Sequence, residues 1–249
     1  MNQRYKITIE YDGTNFFGFQ RQPHLRTVEG VLHSVVNKLS KTSEDIIVYG
    51  SGRTDAGVHA HGQVVHFDLP NFIPAENLRL ALNSMFPLDM AVKKVELVSN
   101  DFHARFSTKG KKYRYIVSTS SFVDPFKRNY TGHYKYPVDI KKIRNAIPYL
   151  IGKHDFTSLV ASGSQAKSNV RTIYSITVKN KDKENELIFD FYGSGFLYKQ
   201  IRIMVALLLE IGNGKRDADS VPQLLAVKDR RLARRTAPAS GLYLEEVIY

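Results

Sequence analysis

The chain has 249 residues, 43% of them hydrophobic, enough for one large domain or two small ones and too apolar for a long disordered tract. It contains no cysteine, which excludes disulfides, thiolate metal sites and cysteine nucleophiles and suits a reducing, cytoplasmic setting. An excess of 36 Lys and Arg over 24 Asp and Glu, a net charge of +12, favours a polyanionic partner; with no Lys-rich amphipathic helix, nucleic acid is expected rather than a membrane face.

No secretory leader is expected, because the residues after Met1 run directly into a strand pattern. Tyr5, Ile7, Ile9 and Tyr11 alternate with polar residues and predict a strand closed by Asp12-Gly13. An aromatic and polar loop, Asn15 to Pro23, leads to a helix with Thr27 as its N-cap and Val28, Val31, Leu32, Val35, Val36 and Leu39 at helical spacing. Strands at Ile46–Tyr49 and Gln63–Leu69 flank a glycine-rich loop. A helix starts near Pro74, and Ala91–Val98 forms a closing strand. The second half repeats this order. Gly110–Val117 reads as a strand, a helix opens at Asp139, and Arg171–Lys179 and Glu186–Tyr192 are strands. Leu197–Ile211 is the strongest helix, and its apolar core, Ile203–Leu209, is too short to cross a bilayer. A short helix capped by Ser220 and a strand at Leu242–Tyr249 complete the chain. The Ser-rich stretch from His154 to Asn169 reads as an exposed, mobile loop.

The fold expected is α+β. Two ferredoxin-like βαββαβ halves, residues 1–104 with the glycine-rich loop and 105–249, place their antiparallel sheets side by side, with helices on one side and a basic cleft on the other.

Three features carry chemistry. The first is Gly50–Gly62, Gly-Ser-Gly-Arg-Thr-Asp-Ala-Gly-Val-His-Ala-His-Gly, where Arg53 and Asp55 stand two apart between glycines that permit a sharp bend. Taken alone, Asp55 is as well explained as a turn residue. The second is Lys109-Gly-Lys-Lys-Tyr-Arg-Tyr, where Tyr113 lies among cations as a base-stacking surface does. The third is Phe196-Leu-Tyr-Lys-Gln-Ile-Arg, in which Arg202 is placed to reach a carboxylate. The loop is no dinucleotide fingerprint, since Asp55 stands where the third glycine belongs and a strand follows. His59 and His61 lack a third ligand at metal spacing. A carboxylate beside guanidinium groups stays ionised, fit to act as nucleophile or base but not as general acid.

Gly52-Arg-Thr-Asp-Ala-Gly-Val-His-Ala resembles the signature of the TruA family of tRNA pseudouridine synthases. Glu10-Tyr-Asp-Gly, Phe17-Gly-Phe-Gln-Arg-Gln, Gly62-Gln-Val-Val-His-Phe, Asp101-Phe-His-Ala-Arg-Phe, Lys112-Tyr-Arg-Tyr, Phe196-Leu-Tyr-Lys-Gln-Ile-Arg and Ala237-Pro-Ala-Ser-Gly-Leu-Tyr-Leu follow in family order, so the likeness spans essentially the whole chain. Ser51 departs from the family's common Ala and Phe19 from a common Trp. The resemblance implies an isomerase that converts uridine to pseudouridine at positions 38, 39 and/or 40 of the tRNA anticodon stem-loop, with no cofactor and no metal. It implies that Asp55 is the catalytic carboxylate and nucleophile, that Arg53 helps extrude the target nucleotide, that Tyr113 stacks on the uracil and that Arg202 pairs with the aspartate. It also implies a cytoplasmic homodimer with tRNA lying across both subunits. Whether Asp55 attacks C1′, attacks C6 or assists proton removal from the sugar is left open by the sequence. The competing expectation is a catalytically silent RNA-binding module, which has no use for an anion in a phosphate-binding cleft.

Overall fold

Tyr5, Ile7 and Ile9 are fully buried while Lys6 and Thr8 between them are half-buried, the two-residue period of a strand with one face in a core. The computed structural model describes residues 2–249, and for Asp182 the backbone only. The chain forms two units, Met1–Lys109 with Tyr243–Tyr249, and Gly110–Leu242. Both are mixed α+β with mostly antiparallel pairing. No helix among the described residues is long and apolar enough to cross a membrane.

The first unit runs β1 (Gln3–Tyr11), α1 (Val28–Ser40), β2 (Tyr49–Gly50), β3 (His59–Leu69), α2 (Ala75–Met85), β4 (Met90–Leu97). β1 lies between β3 and β4, antiparallel to both, so that Ile7 faces Val65 on one side and Val95 on the other. Thr27 caps α1 as expected, its Oγ1 accepting from the Gly30 N–H at 3.2 Å. Val28, Leu32 and Val36 of α1 and Leu78 and Leu82 of α2 are buried and complete the core against Tyr5, Ile7, Ile9 and Phe67. β2 is shorter than the run Ile46–Tyr49 suggested, and β3 starts at His59, four residues before the expected Gln63.

The other face of this sheet is polar and aromatic. Arg4 forms a bidentate pair with Asp68 at 2.7 Å and donates to the carbonyl oxygens of Asn100 and Phe102, fastening the segment after β4 across that face. His66, buried on the same face, stacks on Tyr49 with centroids 4.9 Å apart and accepts the Ala104 N–H at Nδ1 (3.1 Å). Burial, then the neighbouring His103 and Arg4, hold its pKa down at about 4; Asp68 and a backbone hydrogen bond to Tyr49 work the other way. The unfolded chain therefore takes up this proton first as pH falls. Stability present above the ordinary histidine value of 6.5 is lost progressively down to about 4. A shift of that size corresponds to at most about 3 kcal/mol. Thermal unfolding between pH 7 and pH 4 is expected to show this loss, and His66→Asn, which does not titrate there, is expected to flatten it. An equal slope in the variant would place the titrating group elsewhere.

The second unit comprises β5 (Gly110–Ser118), β6 (Gly132–His133), α3 (Ile140–Ala146), β7 (Gly152–Asp155), β8 (Val170–Lys181), β9 (Glu186–Gly193), α4 (Gln200–Gly212) and α5 (Ser220–Val227). β9 runs antiparallel between β5 and β8. α4 is buried along nearly its whole length, as its apolar sequence requires. It begins at Gln200 rather than Leu197, because Lys199 takes a left-handed conformation (φ 57°) that turns the chain just before the helix. Asp219, not Ser220, occupies the N-cap position of α5. The reading of His154–Asn169 as an exposed loop needs correction over its first half. β7 pairs with β8, and Phe156, Ser158 and Leu159 are fully buried, Ser158 Oγ donating to the Leu224 carbonyl at 2.5 Å. The last strand, β10 (Leu242–Ile248), runs parallel to the start of β3, with Tyr243 opposite His59 and Leu244 opposite Ala60.

Candidate active site

The loop between β2 and β3 rests on a floor of buried polar groups. Gln63 is fully buried on the same face of β3 as Val65 and Phe67, a place the pattern reserves for an apolar residue. Its amide is satisfied there: Oε1 accepts from Ser51 Oγ at 2.6 Å and Nε2 donates to the Gly52 carbonyl at 2.9 Å. Tyr11 OH and Thr54 Oγ1 share a hydrogen bond of 2.8 Å, and burial pushes the Tyr11 phenol up to about 12, so it stays protonated. Ser51, Thr54, Gln63 and Tyr11 are all more than nine-tenths buried. Each satisfied pair is worth about 1 kcal/mol net, and a lone member left behind costs about 1–3 kcal/mol.

With Thr54 sunk into that floor, its neighbours remain accessible: Arg53 is exposed and Asp55 half-buried. Further bonds hold the loop from the side. The Phe19 N–H donates to the Thr54 carbonyl (3.0 Å), the Gly57 N–H to that of Phe16 (3.2 Å), and the Val58 N–H to that of Asp55 (3.1 Å). Gly18, at φ 88°, lies so close that a Cβ there would stand 2.8 Å from the Thr54 oxygen. At the exit of the loop the Gly13 N–H donates to His59 Nδ1 (3.0 Å), and the His59 ring stacks on Tyr243 at 4.8 Å. The aromatic loop Asn15–Pro23 is thus the brace of the Arg53–Asp55 loop, with Phe16 and Phe19 buried.

The two other expected residues belong to the second unit. Tyr113 on β5 is buried and meets the Phe196 ring edge-on, centroids 5.3 Å apart. Arg202, in the first turn of α4, is half-buried; its Nε donates to the Ala237 carbonyl (2.8 Å), and its own carbonyl accepts the Ala237 N–H (3.0 Å). The stretch Ala237-Pro-Ala-Ser-Gly thereby positions this arginine, and Tyr115 joins it by donating to the Pro238 carbonyl at 2.8 Å. Burial pushes the Tyr115 phenol far up, so it acts as a fixed donor. A cavity of about 170 Å³ in this unit is lined by Tyr115, Tyr134, Glu210, Arg235 and neighbours, but by neither Tyr113 nor Arg202. Among the described residues no three His, Asp or Glu side chains gather as a metal-ligand set. The arginine run near the end of the second unit is already partly engaged. Arg231 pairs with Asp229 at 2.7 Å, Arg230 donates to Thr236 Oγ1, the exposed Arg235 pairs with the buried Glu210 at 3.8 Å, and Arg234 is exposed.

Sequence reasoning missed Gln63, Tyr11 and Thr54 as supports of the loop. The available signal was a glutamine in the middle of an apolar strand, a polar residue that survives burial only with partners.

A family model described as tRNA pseudouridine synthase matches residues 7–107 and 146–249. The tRNA pseudouridine synthase A of Ligilactobacillus salivarius (strain UCC118) is 61% identical over 249 residues, 100% of this chain and 97% of that protein. The protein of the same name from Limosilactobacillus reuteri (strain DSM 20016) is 62% identical over 247 residues, 99% of this chain and 96% of that protein. That of Levilactobacillus brevis (strain ATCC 367) is 58% identical over 248 residues, 99% and 94% of the two chains. A chain in the solved structure titled "Crystal Structure of a Cbf5-Nop10-Gar1 Complex" aligns with a TM-score of 0.39 at 11% identity, covering 96% of this chain and 48% of that one.

Proposed function

The chain belongs to the tRNA pseudouridine synthase family, and from that membership we propose how its residues divide the work. The reaction is the isomerisation of uridine in tRNA to pseudouridine. The C1′–N1 bond breaks, the uracil turns, and a C1′–C5 bond forms. C5 loses its proton to solvent and N1 gains one, so no atom is gained overall and no redox partner is consumed.

Asp55 is the nucleophile, Arg53 the group that helps draw the target nucleotide out of the stack, Tyr113 the stacking partner of the uracil and Arg202 the partner of the carboxylate. The observation that carries this reading is the sinking of Thr54 into a buried polar floor, which leaves Arg53 and Asp55 accessible on either side of it. Extruding a stacked base costs roughly a few kcal/mol. A bidentate guanidinium on the backbone and a stacking ring, worth about 1–3 kcal/mol, offset that cost. The target uridines are those on the 3′ side of the anticodon stem-loop. The working enzyme is a cytoplasmic homodimer that needs neither cofactor nor metal. The net positive charge and the exposed Arg234 and Arg235 support backbone contacts to tRNA.

The test uses unmodified tRNA carrying tritium at uracil C5, incubated with the protein and no additive. Release of tritium to water, with pseudouridine mapped to the 3′ side of the anticodon stem-loop, is the expected result. No release from folded protein across a full set of tRNAs would overturn the reading.

A further inference from the structure

The motif Asp101-Phe-His-Ala-Arg-Phe has no part in the chemistry above, yet it ends in the most exposed aromatic ring of the first unit, Phe106, 78% exposed. That ring is not isolated. His103 lies against it at 4.3 Å between centroids, His103 meets Tyr49 at 5.4 Å and His66 at 4.7 Å, and Tyr49 stacks on His66 at 4.9 Å. Four rings thus form a continuous ladder from the buried sheet face to solvent. Tyr49 stands on β2 directly before the loop that carries Arg53 and Asp55.

The ladder is rigidly mounted. Arg4 donates to the Asn100 and Phe102 carbonyls, the Ala104 N–H donates to His66, and Tyr249 OH donates to the Ala104 carbonyl at 2.7 Å. His103 Nδ1 accepts the Arg105 N–H at 3.1 Å, which fixes the turn that presents Arg105 and Phe106. Arg105 is exposed, its guanidinium carbon 5.9 Å from the Phe106 centroid, and among the described residues it has no carboxylate partner. Burial and the fields of Arg4 and Arg105 depress the pKa of His103, so the rung beneath Phe106 is a neutral ring at working pH.

A large bare ring on a fixed mount beside an uncommitted cation is a surface for a flat, anionic-backed ligand. We propose that Phe106 and Arg105 form a second stacking subsite, which takes an unpaired base of the tRNA on the Phe106 ring and its adjoining phosphate on Arg105. The proposal rests on tRNA being the substrate. Its weight falls on holding the RNA rather than on the chemical step.

The experiment measures equilibrium binding of unmodified tRNA across a salt series, and the single-turnover rate at saturating tRNA, for Phe106→Ala, Phe106→Trp, Phe106→Leu and Arg105→Ala. Phe106→Ala is expected to weaken binding about tenfold with an unchanged salt slope, and Trp to restore it where Leu does not. Arg105→Ala is expected to weaken binding and lower the salt slope by about one. The saturated rate stays within about twofold of wild type in each. Binding within twofold of wild type for both alanine variants overturns the subsite while tritium release by the wild type leaves the family reaction standing. Restoration by Leu as well as Trp overturns stacking in favour of a merely apolar contact. A changed sedimentation coefficient for Phe106→Ala with tRNA binding intact overturns it in favour of a protein interface.

Discussion

Asp55→Asn releases no tritium above background from C5-labelled tRNA, a loss of about three orders of magnitude or more, while tRNA binding stays within about threefold of wild type. The substitution is nearly isosteric, so the expected effect is chemical. It removes the charge and the nucleophilic oxygen but leaves the floor of Ser51, Tyr11, Thr54 and Gln63 untouched. Stability is expected to stay within about 0.5 kcal/mol, as for partly exposed positions outside the core. Single-turnover tritium release and filter binding on the same preparation decide between roles. Binding lost together with release would make Asp55 a scaffold of the loop, and release retained would remove it from the chemistry altogether.

Gly13→Ala destabilises the protein by roughly 3 kcal/mol or more, lowering the thermal midpoint by about 6 °C or more, and takes most of the activity with it. A Cβ at this position would stand 2.1 Å from the Val58 oxygen and 2.4 Å from its carbonyl carbon. These are backbone atoms and cannot swing aside as a side chain does. Val58 is the last residue before β3, and the Gly13 N–H is already committed to His59. Relief therefore requires the loop exit to move, and Asp55, whose carbonyl accepts the Val58 N–H, moves with it. Gly195→Ala is the matched control, because a Cβ there meets no atom within 4 Å. Differential scanning calorimetry of the two variants tests the contrast; equal midpoints would show that the Gly13 backbone accommodates a methyl group.

Much of the architecture could be read from local pattern. The alternation in β1, the Thr27 cap and the apolar run in α4 are each determined by neighbours in sequence, and each stands where the pattern places it. The glycine-rich loop was equally visible, because its composition has few other uses. What was hidden depends on partners far away in the chain. Gln63 reads as a break in a strand until Ser51 and Gly52 are brought beneath it. Ser158 reads as a solvated loop serine until the Leu224 carbonyl arrives to accept its hydroxyl. Lys199 gives no hint of its left-handed backbone, since lysine seldom adopts one. The support given to Arg202 by Ala237 is a pairing of residues 35 apart that no periodicity announces.

The first unit is discontinuous in the chain: Tyr243–Tyr249 joins it only after all of Gly110–Leu242 has been made. Those seven residues are not ornamental. Tyr243 stacks on His59 and His61, Glu245 closes on Gly62, Ile248 accepts the Lys109 N–H, and Tyr249 ties down Ala104. During synthesis the sheet can begin to form from its amino-terminal strands, but the exit of the Arg53–Asp55 loop stays unbuttressed until the second unit has left the ribosome. A nascent chain stalled short of residue 243 therefore holds an unfinished Arg53–Asp55 loop, and translation itself delays its completion until the whole fold is available.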